Sequence, residues 1–116
     1  MAEKLTIYQK PTCSKCRETM AILKEEGVSF DAIDYFIDPL DAATIRSLLE
    51  KLHLPAMAIV RKNEPAYREL EMSDTMSEEE IVTLLSNHPE LVQRPIVVRG
   101  DSAVIARPPE NVRELF

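Results

Sequence analysis

Cys13 and Cys16 are the only two cysteines in this chain of 116 residues. They stand as C-x-x-C inside Lys10–Arg17, read KPTCSKCR. A β-branched and aromatic run, Leu5-Thr6-Ile7-Tyr8, comes just before them, and a helical pattern, Met20, Ile22, Leu23 and then Gly27, comes just after. The pair therefore falls where a strand turns into a helix, with Cys13 near the helix N-terminus. Free backbone N–H groups and the positive end of the helix dipole meet there. Both favour a thiolate over a thiol, and the thiolate is the nucleophile. At three-residue spacing Cys16 lies on nearly the same helical face, roughly 5 Å further along the axis. Arg17, four residues after Cys13, falls on that face as well and adds positive charge. The pattern reads as an activated cysteine with a second thiol in reach.

Plainer roles exist for two cysteines: small buried hydrophobes, half of a zinc site, or a structural disulfide. A zinc site needs about four ligands. His53 and His88, the two histidines, have no HxH or HxxxH partner spacing, so no metal is expected. A C-x-x-C that follows a strand and opens a helix favours the redox or nucleophilic reading.

Arginines recur where the chain can return to the cysteines. Arg61 follows Met57, Ile59 and Val60; Arg94 precedes Pro95; Arg107 precedes Pro108-Pro109. A solvated surface position is the commoner fate of any one arginine. Arg94 stands out because it opens a strand on rigid scaffold, beside an X-Pro bond that can be cis. A guanidinium is a planar fork that matches tetrahedral oxyanions. Two or three such forks around a thiolate would hold an oxyanion and lower the thiol pKa together. Lys10 and Lys15 flank the cysteines and can add positive charge. His53 and His88 close helices, and the acidic run from Ser77 to Glu80 suits a helix N-terminus.

The elements that must carry these side chains follow from periodicity. Residues 4–8 read as a strand, 14–26 as a helix ended by Gly27, and 28–35 as a second strand with blurred alternation. Strand, helix, strand over about 30 residues is a βαβ unit with parallel strands and a right-handed crossover. Sites in open α/β sheets gather at the C-terminal strand edge, where Cys13 falls. Ile45, Leu48, Leu49 and Leu52 give a helix over 41–52. Residues 56–61 suggest a short helix, and Tyr67 and Leu70 one more helical turn. Ser77-x-x-Glu80 is a capping box for a helix carrying Ile81, Leu84 and Leu85. Ile96–Arg99 and Ala103–Ala106 form a hairpin around Gly100-Asp101. Pro108-Pro109 starts a helix that runs to about Leu115. The order is βαβ, an all-helical stretch, then ββα. The expectation is an α/β fold with a four-stranded mixed sheet and helices on its faces. One domain, 1–116, is expected, with a core of 1–37 and 89–116 and a helical insertion over 38–88.

With 45 % hydrophobic and 29 % charged residues, the composition is that of a soluble globular protein. Two cysteines are too few for a secreted disulfide scaffold. No apolar run approaches the roughly 18 residues that span a bilayer. Met1-Ala2-Glu3-Lys4 leads directly into an expected strand, so no signal peptide is expected. A reducing cytoplasmic setting is the default, with the cysteines resting as a dithiol. The formal charge of −6 argues against nucleic acid as the main partner. No membrane partner is expected, and a monomer is the default.

Four stretches in this order resemble one family: LTIYQKPTCSKCRET, IVRKNEPAYREL, NHPELVQRPIVV and ARPPENVREL. The chain is similar over nearly its whole length to the glutaredoxin-linked arsenate reductases of the ArsC family. The resemblance implies a thioredoxin-like fold with a helical insertion. It implies that a cysteine attacks arsenate, that glutathione attacks the adduct, and that glutaredoxin carries off the electrons as arsenite leaves. The implied nucleophile is Cys13. The implied oxyanion-binding residues are Arg61, Arg94 and Arg107, and the arginine shortly after the nucleophile is Arg17. No bound cofactor is implied; glutathione and glutaredoxin serve as electron donors. Two positions depart from the family pattern. Cys16 has no counterpart in the best-studied members, and Gln9 stands where they carry a histidine. Cys16 can resolve the adduct as an internal disulfide or act as a protective lock. It also makes the motif similar to that of Spx, a related redox regulator that binds RNA polymerase. A dithiol reductase of protein or glutathione disulfides is the third reading.

Overall fold

A computed structural model gives the structure of residues 4–116. The expectation placed on Met1-Ala2-Glu3 lies outside the described residues. The chain forms two compact units, Met1–Asp38 with Arg94–Phe116, and Pro39–Gln93.

The first unit holds a four-stranded sheet in the order β2-β1-β3-β4, formed by β1 (Leu5–Gln9), β2 (Phe30–Asp34), β3 (Ile96–Arg99) and β4 (Ser102–Ile105). β1 and β2 run parallel, with Ile7 opposite Ala32. β3 runs antiparallel to β1, Ile7 opposite Val97, and β4 closes a hairpin on β3. This is the mixed α/β sheet expected from the sequence, in the thioredoxin-like arrangement. Parallel pairing of β1 and β2 requires a crossover, which α1 (Ser14–Glu25) supplies. α1 ends as Gly27 predicts. Gly27 takes φ 69, and the N–H groups of Gly27 and Val28 close onto the carbonyls of Lys24 and Leu23. That is a Schellman closure of otherwise orphaned carbonyls. Because this closure takes up the N–H of Val28, β2 starts at Phe30 rather than Val28.

Alternation along β1 sends Leu5, Ile7 and Gln9 to one buried face. Leu5 and Ile7 pack there with Leu23, Val97, Ala106, Val112 and Leu115. The C-terminal segment Pro109–Leu115 is a 3-10 helix rather than the expected α-helix. Its buried residues explain the difference: Pro109, Val112 and Leu115 recur every third position. Three residues per turn keeps all three on one face, whereas the α-helical period would rotate the stripe away.

The second unit is helical: α2 (Ala42–Leu52), α3 (Pro65–Glu69) and α4 (Glu78–Asn87), with 3-10 turns at Ala56–Ile59 and Pro89–Leu91. Asp41 caps α2 by accepting the Thr44 N–H at 2.8 Å. The Ser77–Glu80 capping box starts α4 in both directions. α2 and α4 bury Ile45, Leu48 and Leu49, and Ile81, Val82 and Leu85, respectively. None of the helices of the described residues is long and apolar enough to cross a membrane.

Candidate active site

Cys13 is the N-cap residue of α1, with φ −83 and ψ 124. The tight turn before it is closed by its own N–H on the Lys10 carbonyl at 2.9 Å. No acidic side chain occupies the first turn of α1, so nothing there competes for the free N–H groups. The half-buried thiol makes no conventional capping bond. The N–H groups of Cys16 and Lys15 nevertheless face its sulfur. Burial on its own would raise the Cys13 pKa. Hydrogen bonding from the Cys16 N–H and thiol and the Lys15 N–H, with the charge of Arg94, outweighs it and holds Cys13 below the ordinary thiol value.

Cys16 is fully buried, at 0 % exposure. Its sulfur accepts the Lys10 N–H at 3.5 Å. Burial pushes the Cys16 thiol up to about 12, and the hydrogen bond to Cys13 and that neighbour's negative charge push the same way. The two thiols therefore divide the work: Cys13 takes the charge, and Cys16 stays protonated and donates.

Two arginines reach this pair. Arg94, immediately before β3, is only 9 % exposed. Its guanidinium lies over the Phe36 ring, 5.5 Å from the centroid. Burial opposes its charge, but hydrogen bonding and attraction from Tyr35, and then from Cys13, more than restore it. Its Nε and Nη1 are buried without a hydrogen-bond partner. Arg107, just after β4, is exposed. Its Nε donates to the Arg94 carbonyl at 2.6 Å and its Nη2 reaches Cys13 Sγ at 3.8 Å. Asn111 holds the Arg107 carbonyl at 3.2 Å. The Arg94–Pro95 and Arg107–Pro108 bonds are both cis.

Of the residues singled out in the sequence, the structure brings Cys13, Cys16, Arg94 and Arg107 together at one end of the sheet. Arg17 is exposed and its Nη1 lies 3.4 Å from the Pro11 carbonyl. Arg61 belongs to the second unit, where it pairs with Glu64 at 2.8 Å. The Lys10 ammonium lies 4.4 Å from the Phe36 centroid. Of the two residues that brace Arg94, Tyr35 was legible only as the end of a strand and Phe36 was not singled out. Among the described residues there is no cluster of three or more His, Cys, Asp or Glu that could hold a metal ion.

A thioredoxin-like sheet with a low-pKa cysteine capping its first helix defines a class of thiol-chemistry proteins. The comparisons narrow that class. The ArsC family model matches residues 8–115, and the chain belongs to the ArsC family. It is 43 % identical to "Uncharacterized protein YfgD" of Escherichia coli K12, over 99 % of this chain and 98 % of that one. It is 34 % identical to an arsenate reductase of Haemophilus influenzae, over 95 % and 97 % of the two chains. Among solved structures, an arsenate reductase from Vibrio cholerae superposes with a TM-score of 0.96 at 34 % identity, covering 100 % of both chains.

Proposed function

We propose that this chain is a thiol-dependent reductase that reduces arsenate to arsenite through an adduct on Cys13. The observation that carries the reading is one constellation. A thiol held below its ordinary pKa lies 3.8 Å from one guanidinium, beside a second that has two buried donors unused. Unused buried donors on a cation call for an anion. The arsenate reductase names of the H. influenzae and V. cholerae relatives supply the substrate class.

The Cys13 thiolate attacks arsenic, an S–As bond forms, and one oxygen leaves as water after taking protons from the substrate and solvent. Arg94 and Arg107 stabilise charge on the remaining oxygens. Glutathione displaces a second oxygen and forms a second S–As bond. A glutaredoxin thiolate then takes the glutathionyl sulfur as a disulfide. The electron pair of the broken S–As bond stays on arsenic, turning As(V) into As(III). Water replaces Cys13 and arsenite leaves. Cys16 supports the first step as a buried hydrogen-bond donor to the thiolate. Its own high pKa makes it a poor nucleophile at neutral pH, so an external thiol resolves the adduct.

The test is arsenate-dependent NADPH oxidation in the presence of glutathione, glutathione reductase and glutaredoxin. Turnover is expected, and Cys13→Ser is expected to abolish it. Reduction of a mixed glutathione disulfide with no response to arsenate would replace this reading with a dithiol reductase. Retention by RNA polymerase with neither activity would replace it with a redox regulator.

A further inference from the structure

We infer that Gln9 selects tetrahedral oxyanions that carry a proton, its Oε1 accepting the hydroxyl of an oxyanion held by Arg94. The inference rests on the oxyanion reading above and adds a preference that reading does not contain. Gln9 closes β1 on the face where Leu5 and Ile7 enter the core. It is only 5 % exposed, and its Oε1 is buried without a hydrogen-bond partner. An orphaned buried acceptor destabilises the fold, so a side chain with no role beyond packing would do better as another aliphatic residue on that stripe.

The position of Gln9 in the fold supplies the role. It directly precedes Lys10, whose N–H contacts Cys16 Sγ at 3.5 Å. On the other side, the β1–β3 ladder ends at Tyr8 opposite Ile96, so Gln9 stands one residue beyond that pair, as Pro95 and Arg94 stand one and two residues before Ile96. Three donors in the neighbourhood are already engaged. The Lys10 N–H serves Cys16, the Cys16 thiol serves Cys13, and Arg107 Nε serves the Arg94 carbonyl. Among the described residues, the buried side-chain atoms left unsatisfied at this end of the sheet are two donors on Arg94 and one acceptor on Gln9. That set complements an anion offering bare oxygens to the guanidinium and one hydroxyl to the amide. Arsenate and phosphate keep a proton near neutral pH. Sulfate has nearly the same size and shape but no proton, and it would set an oxygen lone pair against Oε1.

The experiment is protection of Cys13 from iodoacetamide in the reduced protein near neutral pH, with arsenate, phosphate or sulfate as the added anion. Phosphate and arsenate are expected to protect at about one tenth of the sulfate concentration, the size of one well-made hydrogen bond against one unmatched acceptor. Gln9→Leu, which extends the existing aliphatic stripe, is expected to erase that ratio by weakening phosphate and arsenate and sparing sulfate. Equal protection by phosphate and sulfate in the unmodified protein overturns the inference without any variant. A ratio that survives Gln9→Leu overturns it as well. Absence of protection by all three anions sinks the oxyanion reading and this inference together, whereas loss of the preference alone leaves the oxyanion reading standing.

Discussion

Replacing Arg94 by methionine removes the guanidinium while keeping an unbranched stem across the Phe36 ring. Two buried donors, Nε and Nη1, have no partner in the free protein. Filling them with arsenate oxygens forms charge-assisted hydrogen bonds worth about 1.5–3 kcal/mol each. Part of that loss is offset because Arg107, exposed and within 3.8 Å of Cys13 Sγ, can cover one oxygen. A net loss of about 3 kcal/mol is the working figure, which is roughly a hundredfold in kcat/KM for arsenate. The same substitution should barely move the Cys13 pKa. The charge of Arg94 acts on that thiol less than burial and the hydrogen bonds from Cys16 and Lys15 do. Arg94→Lys keeps the charge but loses the planar fork, so it should fall between the two. The assay is the coupled arsenate reaction with arsenate varied, alongside the pH dependence of Cys13 alkylation. An unchanged arsenate dependence in Arg94→Met, in a variant whose circular dichroism and melting match the parent, would refute the assignment of this arginine to the oxyanion.

Cys16→Ala removes the thiol donor facing Cys13. Losing that donor is expected to raise the Cys13 pKa, and Cys16→Ser should recover much of the loss; both read out in the alkylation profile, and turnover in Cys16→Ser should persist when glutathione is supplied. Cys16 is also predicted to make the fold sensitive to alkali. Its folded pKa lies above the ordinary value, at about 12 against 9.0. The native state therefore holds a proton that the unfolded chain releases. Its contribution is complete below pH 9.0 and is lost as pH rises toward about 12. Denaturant unfolding across that range should show a loss of stability that Cys16→Ala flattens. Ser77→Ala removes the half of the α4 capping box in which Oγ accepts the Glu80 N–H, leaving the backbone N–H of residue 77 to Glu80, and should cost about 1 kcal/mol in unfolding experiments, with the Cys13 profile unchanged.

The strand, loop and helix around the cysteines were legible because period-two and period-three-to-four patterns meet at the C-x-x-C, and Gly27 marks the stop. The capping box at Ser77 and the hairpin about Gly100 were legible for similar local reasons. The 3-10 character of Pro109–Leu115 was encoded in the spacing of Pro109, Val112 and Leu115, which a search for α-helical period passes over. Arg94 and Arg107 carried a local cue in their prolines. Their union at Cys13 comes from β1 lying beside β3 and β3 beside β4, and such pairing is long-range. The burial of Arg94 under Tyr35 and Phe36 had no local signal, since an arginine taken alone belongs on the surface. Gln9 did have one: it takes the third inward place after Leu5 and Ile7, a polar residue where the alternation calls for an apolar one.

The division of charge between the two thiols underlies every step proposed here, and the rate of Cys13 alkylation as a function of pH measures it directly. The account predicts a midpoint below that of an unperturbed thiol measured in the same assay, with Cys16 unreactive in the folded protein. A midpoint at or above that value, or Cys16 alkylated as fast as Cys13, would contradict it.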